Sequence, residues 1–397
     1  MDLNDMKTGI TRDELMTRID TARRVMREND LSVMIIVKRT LEGYDSWFTG
    51  NMRIETPWHI NGGIVILPEG PVQMTTVRRS YLTDLIDDEL RKERVKKGDD
   101  LLVTCHGYDY MDMVPYVTPE HNRIGVVHLS QIRADLHQYL MEHFPYVELV
   151  DVTLKMAEAK AVKSKALIDD MYVAADLVDK LMIMARSEIR VGSLEKDIAS
   201  DIRYRASLMG SSGQLRRQQQ IVRLTSAQQG GPSVKDLMFP GRALEYGDRI
   251  NLCLQFISYR NTFGSLGRCF TLGKATDETR HGWDTAVGAT NLIIEQLRPG
   301  IDFIGALHDA NEFISKNGFE EDMTTWAYGV GYVLGEQPYS FTNGALAPLK
   351  EGMTLVIAPK VRHKGEDPFC CMETVLITKD GAKRMSALSQ DLLEIYV

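Results

Sequence analysis

The sequence predicts two domains, an α/β domain over residues 1–157 and an α+β domain over residues 158–397. Three observations predict this. As far as residue 150, short β-branched runs alternate with helical periodicity, the pattern of an α/β layer architecture. Near residue 155 the chain changes character, and an Ala- and Lys-rich stretch opens a long amphipathic helix. Beyond residue 210 the strand-like segments lengthen, with helices at their flanks, as in an α+β domain. A chain of 397 residues is long enough for two or three domains, each with its own core.

Element by element, Thr11 to Glu28 reads as a helix: Thr11 caps it, Glu14 completes a capping box, and Leu15, Ile19, Ala22 and Met26 repeat at helical spacing. Val33–Val37 reads as a buried strand. Gly63–Leu67 and Val72–Val77 read as two more, joined by a Pro-Glu-Gly turn in which Pro fixes φ and Gly accepts positive φ. Ile124–Val127 and Val147–Val150 continue the series. In the second domain a helix runs from Ser164 through Ile168, Met171, Ala175, Val178 and Leu181, and another starts at Ser193. Strands follow at Gln220–Leu224, Arg249–Ile257, Gly267–Leu272, Thr354–Pro359 and Glu373–Ile377, with helices at Trp283–Leu297 and Phe303–Asn317.

Composition narrows the function classes. Hydrophobic residues make up 44% and charged residues 26%, near the globular average, which disfavours disordered and fibrous readings. Lys plus Arg number 47 against 55 Asp plus Glu, a formal charge of -8, so a nucleic-acid partner is not expected. The five cysteines, Cys105, Cys253, Cys269, Cys370 and Cys371, are odd in number and mostly far apart, as in a reduced, cytoplasmic protein. The first residues are acidic and polar, unlike a signal peptide, and no apolar run is long enough for a membrane span. Neither the cysteines nor the nine histidines cluster at metal-ligand spacing.

The second domain carries a series of landmarks in one order. These are Ala159–Ser164, Glu245-Tyr-Gly-Asp248 ahead of Ile250–Cys253, Gly267-Arg268 with Gly273, and Leu297-Arg-Pro-Gly300. Then come Gly329-Val-Gly331, Gly335-Glu-Gln-Pro338, Glu351-Gly-Met353 with Ala358-Pro359, and Met372 to Gly381. In this order they resemble the pita-bread fold of the creatinase, prolidase, aminopeptidase P and methionine aminopeptidase family. The resemblance implies a pita-bread catalytic domain preceded by a creatinase-like N-terminal domain. The metallopeptidases of that family bind two metal ions through two Asp, one His and two Glu. Carried onto this chain, those positions fall on Cys253, Ser265, Tyr328, Ala358 and Glu373, so that only Glu373 keeps a carboxylate. No metal or other cofactor is therefore expected, and the resemblance is greatest to the metal-independent creatinase branch. The base His of that branch has no counterpart in the loop Ser226–Ser233.

The resemblance leaves several residues with alternative roles. Glu373 is either a general acid–base or a buried partner of Arg268. His363 is either a replacement base or a surface histidine. Cys253 is either a nucleophile activated by a cationic neighbour or a small apolar filler. Tyr328, Ser265 and Arg223 are expected to bind substrate; Glu336 is either a substrate ligand or a structural acceptor. Trp58 and His59 lie in the segment through which creatinase reaches its partner's site, which implies a homodimer with shared site residues. The expected activity is metal-independent hydrolysis of a C–N bond in a small polar nitrogen compound (amide, amidine or cyclic amidine). The competing readings are a non-catalytic pita-bread binding protein and a metal-dependent Xaa-Pro peptidase or lyase.

Overall fold

The computed structural model describes residues 11–37, 43–49, 63–70, 72–76, 102–106, 115–132, 134–211, 221–231, 241–260, 262–301, 303–320, 326–332, 334–338, 347–363 and 365–396. The chain divides into two compact units, Met1–Lys160 and Ala161–Val397.

The N-terminal unit begins with helix α1 (Arg12–Glu28), whose Thr11 N-cap accepts a hydrogen bond from the Glu14 amide at 3.2 Å, one half of the expected capping box, while the Glu14 carboxylate accepts from Arg18 Nε at 2.7 Å. Its six-stranded mixed sheet has the order β4-β3-β2-β1-β5-β6. The strands are β1 (Val33–Val37), β2 (Gly63–Ile66), β3 (Val72–Thr76), β4 (Leu102–His106), β5 (Arg123–Val127) and β6 (Glu148–Asp151). Helix α2 (Tyr44–Thr49) follows β1, and α3 (Ala134–His143) lies between β5 and β6. Val33 and Ile35 of β1 pack with Val65, Val126, Leu136 and Leu140 in one apolar core. Strand β4 was not apparent in the sequence; the other five lie where its β-branched runs are.

After α4 (Thr153–Ala161), the second unit opens with α5 (Lys165–Glu188), capped by Ser164, whose hydroxyl accepts from the Leu167 amide at 3.3 Å. Leu167, Met171, Ala174, Ala175, Val178, Leu181, Met182 and Ala185 form its buried stripe. That stripe lies against β9, where Gly264 is required. A Cβ there would stand 2.8 Å from the Ala174 carbonyl oxygen. Helix α6 (Glu195–Leu208) follows.

Two sheets form the body of this unit. Strands β7 (Ile221–Gln228), β8 (Asp248–Tyr259), β9 (Thr262–Leu272) and β15 (Leu393–Ile395) make one, in the order β15-β9-β8-β7. The second is antiparallel, in the order β11-β10-β12-β13-β14. Its strands are β10 (Trp326–Val330), β11 (Leu334–Glu336), β12 (Thr354–Ala358), β13 (Glu373–Thr378) and β14 (Gly381–Arg384). Helices α7 (Asp277–Gln296) and α8 (Phe303–Lys316) contribute Trp283, Ala289, Ile293, Phe303 and Ala310 to a core that includes Leu355, Ile357, Val375 and Ile377. The sheets meet where Gly267 of β9 bridges Met372, just before β13. A Cβ on Gly267 would come within 2.8 Å of Met372 Cβ and of the Cys370 carbonyl oxygen, so this approach needs glycine.

Four strands of this unit go beyond the sequence reading. Strands β14 and β15 are half-exposed, with no apolar alternation to mark them. In β10 and β11 the glycine of Trp326-Ala-Tyr-Gly-Val passes against the backbone of Glu336, so the pairing is hidden from propensity.

Candidate active site

Strand parity builds the site. On β8, Ile250, Leu252 and Leu254 point into the core beneath α5 and α6, which leaves Asn251, Cys253 and Gln255 on the opposite face. There Cys253 packs with Tyr328 and Val330 of β10, Val356 and Ala358 of β12, Met372, Leu376, Phe263 and Met171, with Cys370 and Tyr172 at the margin. Cys253 and Tyr328 are buried, Cys370 half-buried.

Cys370 is delivered to Cys253 by a clamp. The segment from Val361 to Phe369 closes on itself through paired Val361–Phe369 backbone hydrogen bonds at 3.1 and 2.7 Å. Asn251 Nδ2 donates to the Asp367 carboxylate at 3.1 Å and to the Pro368 carbonyl at 3.0 Å. The Thr225 hydroxyl donates to the same carboxylate, and Arg249 donates to the Asp367 carbonyl. The Arg249 guanidinium lies 4.0 Å from the Phe369 ring centroid. Two strands thereby hold the backbone on which Cys370 follows.

Cys370 packs against the cluster that holds Cys253. That contact, with Arg223 and Lys360 nearby, holds the Cys253 thiol below its ordinary value against the opposing effect of burial. The Cys370 thiol is raised correspondingly, by the Cys253 contact first and burial second. Burial raises the Tyr328 phenol, which stays protonated and able to donate. Arg223 is the register partner of Cys253 on β7 and is exposed. Among the described residues the buried Asn251 Oδ1 has no hydrogen-bond partner, an acceptor on the site face. Ser265 shares the parity of Phe263 and Gly267, and its backbone N–H and C=O both bond the Thr374 hydroxyl, at 3.0 and 2.9 Å.

Glu373 is not in this group. Strand β13 alternates Met372 and Leu376 onto the site face and Val375 and Ile377 onto the other, and Glu373 goes with the latter. Its carboxylate accepts from Arg268 at 2.8 Å, Gln390 at 3.2 Å and Arg384 at 3.3 Å. Burial pushes its pKa up, opposed chiefly by the charges of Arg268 and Arg384. Its carboxylate is thus paired with Arg268, the contact that one of its two expected roles names. The neighbour that joins the Cys253 cluster is Met372, just before the strand.

His363 is likewise elsewhere. It stacks on Phe319 with ring centroids 4.5 Å apart and lies 3.5 Å from Glu278, on the α7 side of the unit. Glu336 forms a fully buried ion pair with Lys163 at 2.6 Å and accepts from the Tyr332 amide at 3.0 Å, the structural alternative. Trp58 and His59 lie outside the described residues.

The model of metallopeptidase family M24 matches residues 169–379, more than half of the chain. The chain belongs to this family. It has the pita-bread fold expected from its landmarks. The chain is similar to the Xaa-Pro dipeptidase of Pyrococcus horikoshii, 22% identical over 84% of this chain and 88% of that protein. It is 24% identical to the Pyrococcus furiosus Xaa-Pro dipeptidase over 59% of this chain and 66% of that protein. Dipeptidase PepE from Mycobacterium ulcerans superposes with a TM-score of 0.76 at 19% identity, covering 98% of this chain and all of that one, 100%.

The donors on the site face do not suit the divalent ions that a metallopeptidase implies. A dinuclear centre needs anionic oxygen bridges. Here the positions carry a thiol at Cys253, a hydroxyl at Ser265, a buried phenol at Tyr328, a methyl group at Ala358 and a thioether at Met372. Among the described residues no group of three or more His, Cys, Asp or Glu is arranged to hold an ion. The Asp367 carboxylate accepts from Asn251 and Thr225.

Of the residues expected from the sequence, Cys253, Tyr328, Ser265 and Arg223 lie in this region. The sequence reading missed Cys370, Met372, Asp367 and Lys360. Nothing local marks these four; they reach Cys253 through the clamp and the Gly267 bridge, both long-range features.

Proposed function

We propose that this M24 protein is a metal-independent hydrolase of a C–N bond in a small polar nitrogen compound (amide, amidine or cyclic amidine), with Cys253 as the attacking group. The observation that carries this reading is the replacement of anionic oxygen by neutral sulfur, hydroxyl and methyl groups at the site centre, with a thiol of lowered pKa in their midst. In this scheme the Cys253 thiolate forms a C–S bond as the C–N bond breaks, and the leaving nitrogen takes a proton from the Cys370 thiol. Water then cleaves the C–S bond, restoring both thiols. The Tyr328 phenol donates to the developing oxyanion or its nitrogen equivalent, and Asn251 Oδ1 accepts a substrate N–H. Arg223 and Lys360 favour a substrate bearing a carboxylate.

The test is an assay of amides, amidines and cyclic amidines beside Xaa-Pro dipeptides, with chelator and with added Mn2+. Turnover of the first group that survives chelator and is lost in Cys253→Ala is the expected result. Xaa-Pro cleavage that needs metal would contradict it. One observation favours the second reading, a binding protein: neither Glu373 nor His363, the two candidate bases, stands beside Cys253. Saturable binding with no turnover would select that reading. The homodimer belongs to the same proposal, and light scattering at micromolar concentration tests it.

A further inference from the structure

Beside Glu373, away from the Cys253 cluster, lies a cavity of about 590 Å³ walled by α7, β14 and the segment that leads into β15. Helix α7 supplies Arg280, Asp284 and Val287, β14 supplies Arg384, and the segment supplies Ser389 to Leu392. That segment is held from beneath. Arg268 donates to the carbonyls of Leu388 and Ser389 at 3.1 and 2.7 Å, and the Trp283 indole donates to that of Gln390 at 2.7 Å. The Gln390 side chain is fixed as well, accepting from Asn291 at 3.1 Å and donating to Glu373 at 3.2 Å.

The charges around this cavity do not cancel. Arg280 is paired with Glu394. Arg384, at 3.3 Å, shares the Glu373 carboxylate with Arg268, at 2.8 Å, so two guanidinium groups meet one carboxylate. Asp284 and Asp391 are exposed and, among the described residues, have no ion-pair or hydrogen-bond partner. One surplus positive charge and two surplus negative charges therefore surround the cavity, with Val287 and Leu392 as its apolar surface. We propose that it binds a basic α-amino acid of the lysine or arginine class. The ligand carboxylate sits on Arg384, which commits Nη1 to Glu373 and has further N–H groups to donate. The α-ammonium group and the side-chain cation sit on Asp284 and Asp391, and the aliphatic stem lies against Val287 and Leu392. A diamine would leave the surplus charge at Arg384 unanswered, and an apolar amino acid would leave one aspartate so. Because the Leu388–Gln390 backbone is anchored before any ligand arrives, binding carries a reduced ordering cost. The cavity shares no residue with the Cys253 cluster, so the proposal stands apart from the hydrolytic reading.

Calorimetric titration of the purified full chain with L-lysine and with L-arginine tests it. Saturable binding of one molecule per chain is expected. Asp284→Asn and Asp391→Asn should each weaken binding by about tenfold or more, since each loses a charge-assisted hydrogen bond. Both side chains are exposed, so thermal unfolding of these variants should match the wild type. A ligand series probes the same charges without mutation. Cadaverine, which lacks the carboxylate, and norleucine, which lacks the side-chain cation, should each bind about tenfold or more weakly than lysine. Arg223→Ala, on the Cys253 side of the unit, should leave binding unchanged. No saturable binding at millimolar concentration, indifference to both Asn substitutions, cadaverine or norleucine equal to lysine, or loss of binding in Arg223→Ala would overturn the assignment.

Discussion

Met372 and Glu373 are consecutive residues with opposite surroundings. Met372 packs on the site face among Cys253, Tyr328 and Ala358. Glu373 lies on the back face, fully buried between Arg268 and Arg384. One face of the sheet has neutral sulfur where the family resemblance implied metal ligands; the other keeps a carboxylate neutralised by guanidinium groups. The lesson concerns parity: a one-residue step along a strand moves a side chain to the other face. A glutamate in the expected motif is therefore not evidence of a glutamate in the site.

The largest expected effect lies on the back face. Glu373→Gln leaves the buried Arg268 charge poorly compensated, and breaking such a pair costs about 3–5 kcal/mol. Denaturant unfolding should show this loss, with little change in Cys253 chemistry. A variant of wild-type stability would mean that the ion pair is not the role of Glu373. On the site face, Met372→Leu conserves volume and should cost less than about 1.5 kcal/mol. If it cost more than Glu373→Gln, the contrast between the faces would fail.

The thiols sharpen the comparison further. Iodoacetamide labelling mapped by peptide mass should show Cys253 reacting with a midpoint below its ordinary value of 9.0. The sign follows from the thiolate being the reactive form: a lowered pKa moves the labelling curve to lower pH. Cys269 and Cys371, pushed up to about 12 by burial, should stay unlabelled across that range. Equal labelling of all three would remove the distinction. The smallest effect is expected from Arg223→Ala, which takes away one of two nearby cations and should shift the Cys253 midpoint slightly upward.

Much of the fold is legible in the sequence because local chemistry marks it. Thr11 with Glu14, and Ser164 ahead of its helix, announce helix starts that the structure confirms hydrogen bond by hydrogen bond. The alternation of Ile250, Leu252 and Leu254 with Asn251 and Cys253 makes the facing of β8 readable, because one side of it is polar. Strand β13 offers no such contrast. It is buried along almost its whole length on both faces, so periodicity cannot say which way Glu373 points. The packing of Cys370 against the Cys253 cluster is hidden for another reason: it depends on the loop that Asp367 and Phe369 anchor, and no local pattern announces such a closure.

The most direct test of the central claim, that the site face offers no seat for hard divalent ions and that Glu373 is no ligand, is a calorimetric titration of the purified protein with Mn2+. No tight, stoichiometric binding is predicted, and Glu373→Gln should not alter the result. Stoichiometric Mn2+ binding at micromolar affinity or better, lost in Glu373→Gln, would contradict it.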